Sequence, residues 1–178
     1  MHEEQESRII RLPGADAVSA FRRQRHLTEL RARVPEVRAV DARWWYLVDV
    51  AEPPDAPRLQ RLEALLGVPD ALDGVVGSGV TADGGDLHLL VVPRFGTISP
   101  WSSKATDIAH RCGFDFVRRI ERAVAWRFDC AVTPDAAMLE ALAAVLHDRM
   151  TQSVVTGFEA AGSLFARRQP APGTRVPL

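Results

Sequence analysis

Residues 37–66 and 117–146 of this chain align without a gap at a shift of 80 and are identical at eleven of the thirty positions. Val37-Arg38 recurs as Val117-Arg118, Asp49 as Asp129, and Pro54-Asp55-Ala56 as Pro134-Asp135-Ala136. Leu59, Leu62, Ala64 and Leu66 recur as Leu139, Leu142, Ala144 and Leu146. Convergence on a shared strand, turn and helix accounts for part of this. A duplicated unit accounts for it better, because Pro-Asp falls just ahead of the helical leucine spacing in both copies. Few folds accommodate such a chain. Each unit reads helix, strand, helix, strand, and neither can cover its own apolar face alone, so the two must pack together. The expected class is α+β, with duplicated helix-strand units forming an antiparallel sheet packed with helices about a pseudo-twofold axis.

The flanking segments fill in the order. IIRL (residues 9–12) predicts a short strand ended by Pro13-Gly14. A helix is expected over residues 16–34, with Val18, Phe21, Leu27 and Leu30 as its apolar stripe and Pro35 closing it. VRAVDARWWYLVDV (37–50) and VRRIERAVAWRFDC (117–130) are aromatic and β-branched, the composition of strands. Residues 67–86 form a Gly-rich connector, and DLHLLVVPR (86–94) is a third strand. LHDRMTQSVV (146–155) supplies the last strand, GFEAAGSLFARRQ (157–169) a short helix, and PAPGTRVPL a linker.

Composition excludes several function classes. With 22 basic and 23 acidic residues, the chain lacks the charge of a nucleic-acid binder. Its polar, acidic beginning MHEEQESR is no targeting peptide, and no apolar run is long enough to span a membrane. Two cysteines, Cys112 and Cys130, suit a reducing compartment, so the expected location is cytoplasmic. Length predicts one domain, large enough to fold without metal or disulfide.

The chemistry-bearing stretch is GTISPWSSKATDIAH (96–110), which holds Lys104, the one lysine of the chain. Ser99 is placed as N-cap, Pro100 at the first helical position, and Gly113 after the end. Trp101, Ala105, Ile108, Ala109 and Cys112 fall on one expected buried face, which makes Cys112 a packed small hydrophobe. Ser103, Lys104, Thr106, Asp107 and His110 point elsewhere. Two readings of this entrance stay open. A capped helix with a solvated face explains it, and so does a phosphate site built from Thr97, Ser99, Ser102, Ser103 and the lysine. If Lys104 is instead structural, Asp107 or Glu121 would be its partner. The DGVVGSGVTADGG run lacks the Lys-Ser/Thr ending of a phosphate loop. His110 and Cys112 alone make no zinc site. His147, Asp148 and Arg149 have no nucleophile to serve and read as a salt-bridging strand. Trp44, Trp45, Trp101 and Trp126 are expected in the core.

PRFGTISPWSSKATDIAHRCGFDFVRRIER (93–122) closely resembles the N-terminal signature of the large, single-chain phosphoribosylformylglycinamidine synthases. SAFRRQR, LHDRM and FARRQPAPGTRV resemble further segments of that family, in the family's order. The resemblance implies that residues 1–156 are its N-terminal domain, with repeats of about 15–94 and 95–156 akin to a fused pair of the split enzyme's small accessory subunits. Residues 157–178 would then be a short helix and the start of a linker to an absent synthetase region. The family makes the amidine from formylglycinamide ribonucleotide, ATP and glutamine, so ATP and magnesium are implied for the whole enzyme and no cofactor for this part.

The implied role is assembly: docking the synthetase and glutaminase regions and supporting ammonia channelling, with no nucleic-acid or membrane partner. Its interface or substrate-side residues would be Arg94, Thr97, Ser99, Trp101, Ser102, Ser103, Lys104, Thr106 and Asp107, with His147, Asp148 and Arg149 as a secondary motif. An independent module binding a small ligand or phosphate is the alternative. On either reading the isolated chain should release no ammonia from glutamine above a buffer blank, a measurement that turnover by the purified protein would contradict.

Overall fold

The computed structural model describes residues 8–69 and 86–166; most of the Gly-rich connector and the Pro-rich ending lie outside them. The elements, in order, are β1 (Arg8–Asp16), α1 (Ala20–Arg31), β2 (Val37–Val50), α2 (Ala56–Leu66), β3 (Asp86–Pro93), α3 (Pro100–Arg111), β4 (Val117–Cys130), α4 (Ala136–Leu146), β5 (Gln152–Val155) and α5 (Phe158–Ala161). A 3-10 turn, Gly162–Phe165, follows α5. The strands form one antiparallel sheet in the order β1-β2-β4-β3-β5. The class is α+β, as expected.

The bounds of α1, β2 and α2 recur in α3, β4 and α4 at the shift of 80 seen in the sequence. So do the helix starts. Ser19 and Ser99 accept the backbone N–H three residues on, and Asp55 and Asp135 do the same for α2 and α4. Each cap satisfies one of the four N–H groups that a helix start leaves unbonded. The β2–β4 register obeys the same shift. Trp44 pairs with Val124, its own counterpart, and Val40↔Phe128 is mirrored by Val48↔Ile120. At the ends of the pair Ala51 N–H donates to Phe116 O, and Ala131 N–H to Glu36 O, each at 2.8 Å.

Around this centre the strand order departs from a unit that begins with a helix. β1 lies against β2 where β3 lies against β4, so the corresponding units begin with a strand. β5 then adds to the outer edge of β3.

Side-chain alternation places α1–α4 on one face. Val40, Ala42, Trp126 and Phe128 meet Leu30 of α1 and Leu142 of α4 in one cluster. Val48, Val50 and Ile120 meet Leu62 of α2 and Ala109 of α3 in a second. The opposite face carries Leu47, Leu90, Val92 and Ala123, covered by Phe158, Ala161 and Leu164 from α5 and the 3-10 turn.

Four local expectations are corrected. β1 does not stop at Pro13-Gly14 but runs on to Asp16 with a register shift, as an edge strand tolerates proline. Gly14 is required there, since a Cβ would come within 2.9 Å of Trp44 Cβ. The helix of residues 16–34 shortens to α1, and Phe21, in its first turn, is 81 % exposed; only the end of α1 around Leu30 is fully buried. The strand of residues 146–155 shrinks to β5, because residues 147–151 form a turn. Of the tryptophans only Trp126 is buried; Trp44, Trp45 and Trp101 are half-buried.

Phe128 is fully buried. Phe128→Ala should cost about 4 kcal/mol, whereas Phe21→Ala should stay within about 0.5 kcal/mol. Urea unfolding of the two variants measures the contrast.

Candidate functional site

β3 pairs with β4 as far as Val91↔Val124 and then parts from it, staying paired with β5, so the edge of β4 over residues 117–123 needs another neighbour. The loop 94–99 and α3 supply it. Arg94 is pinned by its N–H to Thr151 O (2.9 Å) and its guanidinium to Met150 O (3.3 Å). Thr97 closes the loop on Arg94 O through both its N–H (3.2 Å) and its hydroxyl (2.6 Å). Further along, Thr106 Oγ1 accepts from Ile120 N–H at 3.0 Å. α3 thus stands in for a missing strand at that backbone donor, which would otherwise be buried unpaired.

Glu121 sits at the centre of this arrangement and is fully buried. Its Oε1 accepts from Arg119 Nε at 3.1 Å and from Arg119 Nη2, while its Oε2 accepts from Ser99 Oγ at 2.9 Å. Ser99 N–H makes a long 3.5 Å approach to the same carboxylate. The hydroxyl of Ser99 also accepts from Ser102 N–H at 3.0 Å, so one side chain caps α3 and ties it to β4. Arg119 extends the network, donating to Leu164 O (3.0 Å) and Thr97 O (3.1 Å) and stacking on Phe165. A buried charge is tolerated when paired and fully hydrogen-bonded, and here the pair joins α3, β4 and the C-terminal turn. The positive end of α3 therefore already faces a carboxylate, which is unfavourable for a phosphate at the same place.

The faces of α3 follow from these ties. Ser102 and Ala109 are buried, Ala105 and Thr106 half-buried, and Ser103, Lys104, Asp107 and His110 exposed. Of the expected buried face only Ala109 is fully buried, and two members are exposed. Ile108 is 43 % exposed and Cys112 is exposed, because the Ser99 and Thr106 bonds turn the helix towards the Ser102–Ala109 line. Thr106, expected on the outward face, is correspondingly turned in. Lys104, Ser103 and Asp107 have no side-chain hydrogen bond or ion pair among the described residues. Glu121 pairs with Arg119 rather than with the lysine. Lys104 borders a groove of about 340 Å³ lined by Tyr46, Leu65, Leu66, Trp101, Ala105 and Ile108.

His147, Asp148 and Arg149 lie in a turn, not on a strand. His147 Nδ1 donates to Ala143 O, past the end of α4. Asp148 accepts from Met150 N–H (2.8 Å) and Thr151 Oγ1 (3.0 Å), which together hold its carboxyl below the ordinary value of 3.8. This is an Asx-type turn, a local structural role. The sequence reading missed Arg119 and Glu121 as partners, although opposite charges two apart on a strand lie on one face and announce such a pair.

Fold and motif together define an α+β domain, helix-covered on one face of an open sheet, in which Ser99 and Thr106 of the signature hold its own helix to a strand edge. Residues 43–165, more than half of the chain, match the family described as formylglycinamide ribonucleotide amidotransferase N-terminal, and the chain belongs to that family. It is a domain of a multi-domain amidotransferase of purine biosynthesis. Among the described residues no helix is long and apolar enough to cross a membrane.

Two measurements check this site. Glu121→Gln leaves the half-buried Arg119 without its counter-charge and should cost about 3 kcal/mol, against about 1 kcal/mol for Ser99→Ala, with a double-mutant cycle showing coupling between them. The lowered Asp148 carboxyl lends stability that is present above its ordinary value and lost as pH falls through its own, lower pKa. Carboxyl chemical shifts should place the Asp148 midpoint below 3.8, and Asp148→Asn should remove that part of the acid dependence.

Proposed function

We propose that this domain is the assembly element of a phosphoribosylformylglycinamidine synthase, docking the synthetase and glutaminase regions and helping to seal the path of ammonia between them. The observation that carries this reading is the outer face of α3. Ser103, Lys104 and Asp107 are exposed and unpaired among the described residues, beside an apolar groove that includes the exposed Leu65 and Ile108. A lysine ammonium on a slim stem beside an apolar groove suits a docking contact that combines one point charge with hydrophobic burial. ATP and magnesium belong on this reading to the synthetase region, and the enzyme works in the cytoplasm.

The shift of 80 in helix bounds, caps and β2–β4 register supports descent of the two halves from one duplicated unit, in the manner of a fused pair of accessory subunits. Against the alternative of a phosphate-binding module stands Glu121, whose carboxylate already occupies the entrance of α3.

Lys104→Ala is expected to shift the stability of the isolated domain by only about 0.5 kcal/mol. In the full-length enzyme the same change should lower glutamine-dependent synthesis while glutamine hydrolysis continues without product. A large loss of stability with hydrolysis and synthesis still coupled would falsify the docking role of this face.

A further inference from the structure

Between the two helix-packed clusters the sheet is left partly open at its centre, and a cavity of about 260 Å³ lies there. Trp44, Val124, Arg122, Trp101, Thr151 and Gln152 are among its walls. The Arg122 guanidinium is 4.5 Å from the ring centre of Trp44 and 4.8 Å from that of Trp101. These contacts hold the side chain in place and partly offset its desolvation. Its N–H donors are left without a bond: Arg122 has no hydrogen bond or ion pair among the described residues. Its neighbours on β4 differ, Arg119 being paired with Glu121 and Arg118 with Asp49.

The remaining polar walls are Ser99, Thr151 and Gln152. Ser99 is engaged with Ser102 N–H and Glu121, and the Thr151 hydroxyl donates to Asp148. Gln152 uses its carbonyl to accept from Asp148 N–H at 2.9 Å, which leaves its NH2 group as a free donor. Among the described residues no aspartate or glutamate lines the cavity. Its free donors are thus the Arg122 guanidinium, a full positive charge, and the Gln152 amide, set against the apolar surfaces of Val91, Val92, Pro93, Pro100 and Val124.

We propose that this cavity binds a small organic carboxylate, held edge-on by the Arg122 guanidinium and assisted by the Gln152 amide, with its apolar part against the valine and proline walls. The fork of an arginine matches a carboxylate in two parallel hydrogen bonds. A single cation also balances a single carboxylate, whereas phosphate, approaching two negative charges at neutral pH, would bring one uncompensated charge against apolar walls. The site shares Trp101 with the groove beside Lys104 but uses none of the outward residues Ser103, Lys104 and Asp107, so it does not rest on the docking role proposed for them.

Benzoate, benzamide and inorganic phosphate are suitable probes, titrated into the isotope-labelled chain while the Arg122 Nε–H and the Trp44 and Trp101 indole N–H signals are followed. Benzoate should move all three with a common saturating curve and a Kd of about 10 mM or tighter, the affinity ordinary for so small an acid. Benzamide, with the same shape and no charge, should bind at least roughly tenfold more weakly, as should benzoate to Arg122→Gln. Arg122→Lys, which keeps the charge and the ring contacts but not the fork, should also weaken benzoate. The proposal fails if benzoate leaves these signals in place, if benzamide equals it, or if phosphate binds at Arg122 in preference. The titration of the unaltered chain decides this even if a variant does not fold.

Discussion

Everything in this domain is arranged around the antiparallel pairing of β2 with β4. Fourteen residues of each strand run alongside one another, and Trp44 meets Val124, its own counterpart at the shift of 80. Because side chains alternate along a strand, this register decides at once which residues of both strands share a face. Val40, Ala42 and Val48 are thereby placed beside Phe128, Trp126 and Ile120, and the two helix pairs have apolar ground to settle on at opposite ends of the same face. A slip of one residue would turn Glu121 and Arg119 towards the helices and expose half the core.

Two consequences follow from that geometry. The helices of the two halves gather at either end of the seam, so its middle is left to Trp44, Val124 and Arg122. Meanwhile β3 parts from β4 early, and the open edge of β4 is closed by α3 through Thr106 and Ser99. The equivalent serine, Ser19, caps α1 but has no buried carboxylate to hold, since Asp41, the counterpart of Glu121, pairs with Arg23 at 3.5 Å. The two halves are alike in backbone and differ in where their charges are satisfied.

That difference separates structure from function within a single motif. The family signature looks uniformly polar as a string of letters, yet its members divide sharply. Thr97, Ser99 and Thr106 are engaged inside the domain, and Arg94 anchors the loop to the β5 turn. Ser103, Lys104 and Asp107 are the ones turned outward. A surface for a neighbouring region and a rigid base to carry it are thus interleaved on one helix, three or four residues apart.

The sequence by itself determined the elements and their repetition. β2 and β4 are read to the residue from β-branched and aromatic runs, and the starts of α2, α3 and α4 from Asp55, Ser99 and Asp135, because these signals act over a few neighbouring residues. The family was legible for a similar reason, in one long contiguous motif. What only the tertiary structure decided is which side chains meet. Periodicity placed Ile108 and Cys112 inward, and the bonds of Ser99 and Thr106 to β4 rotated the helix away from that reading. Local pattern left Phe21 in the core and Pro13 at a strand end, whereas packing leaves Phe21 in solvent and an edge position lets the strand continue past Pro13. The contact of Arg122 with two tryptophans joins residues from three elements, Trp44 on β2, Trp101 on α3 and Arg122 on β4. No spacing along the chain encodes it, since it exists only once β2 and β4 have paired and α3 has been tied to the edge of β4.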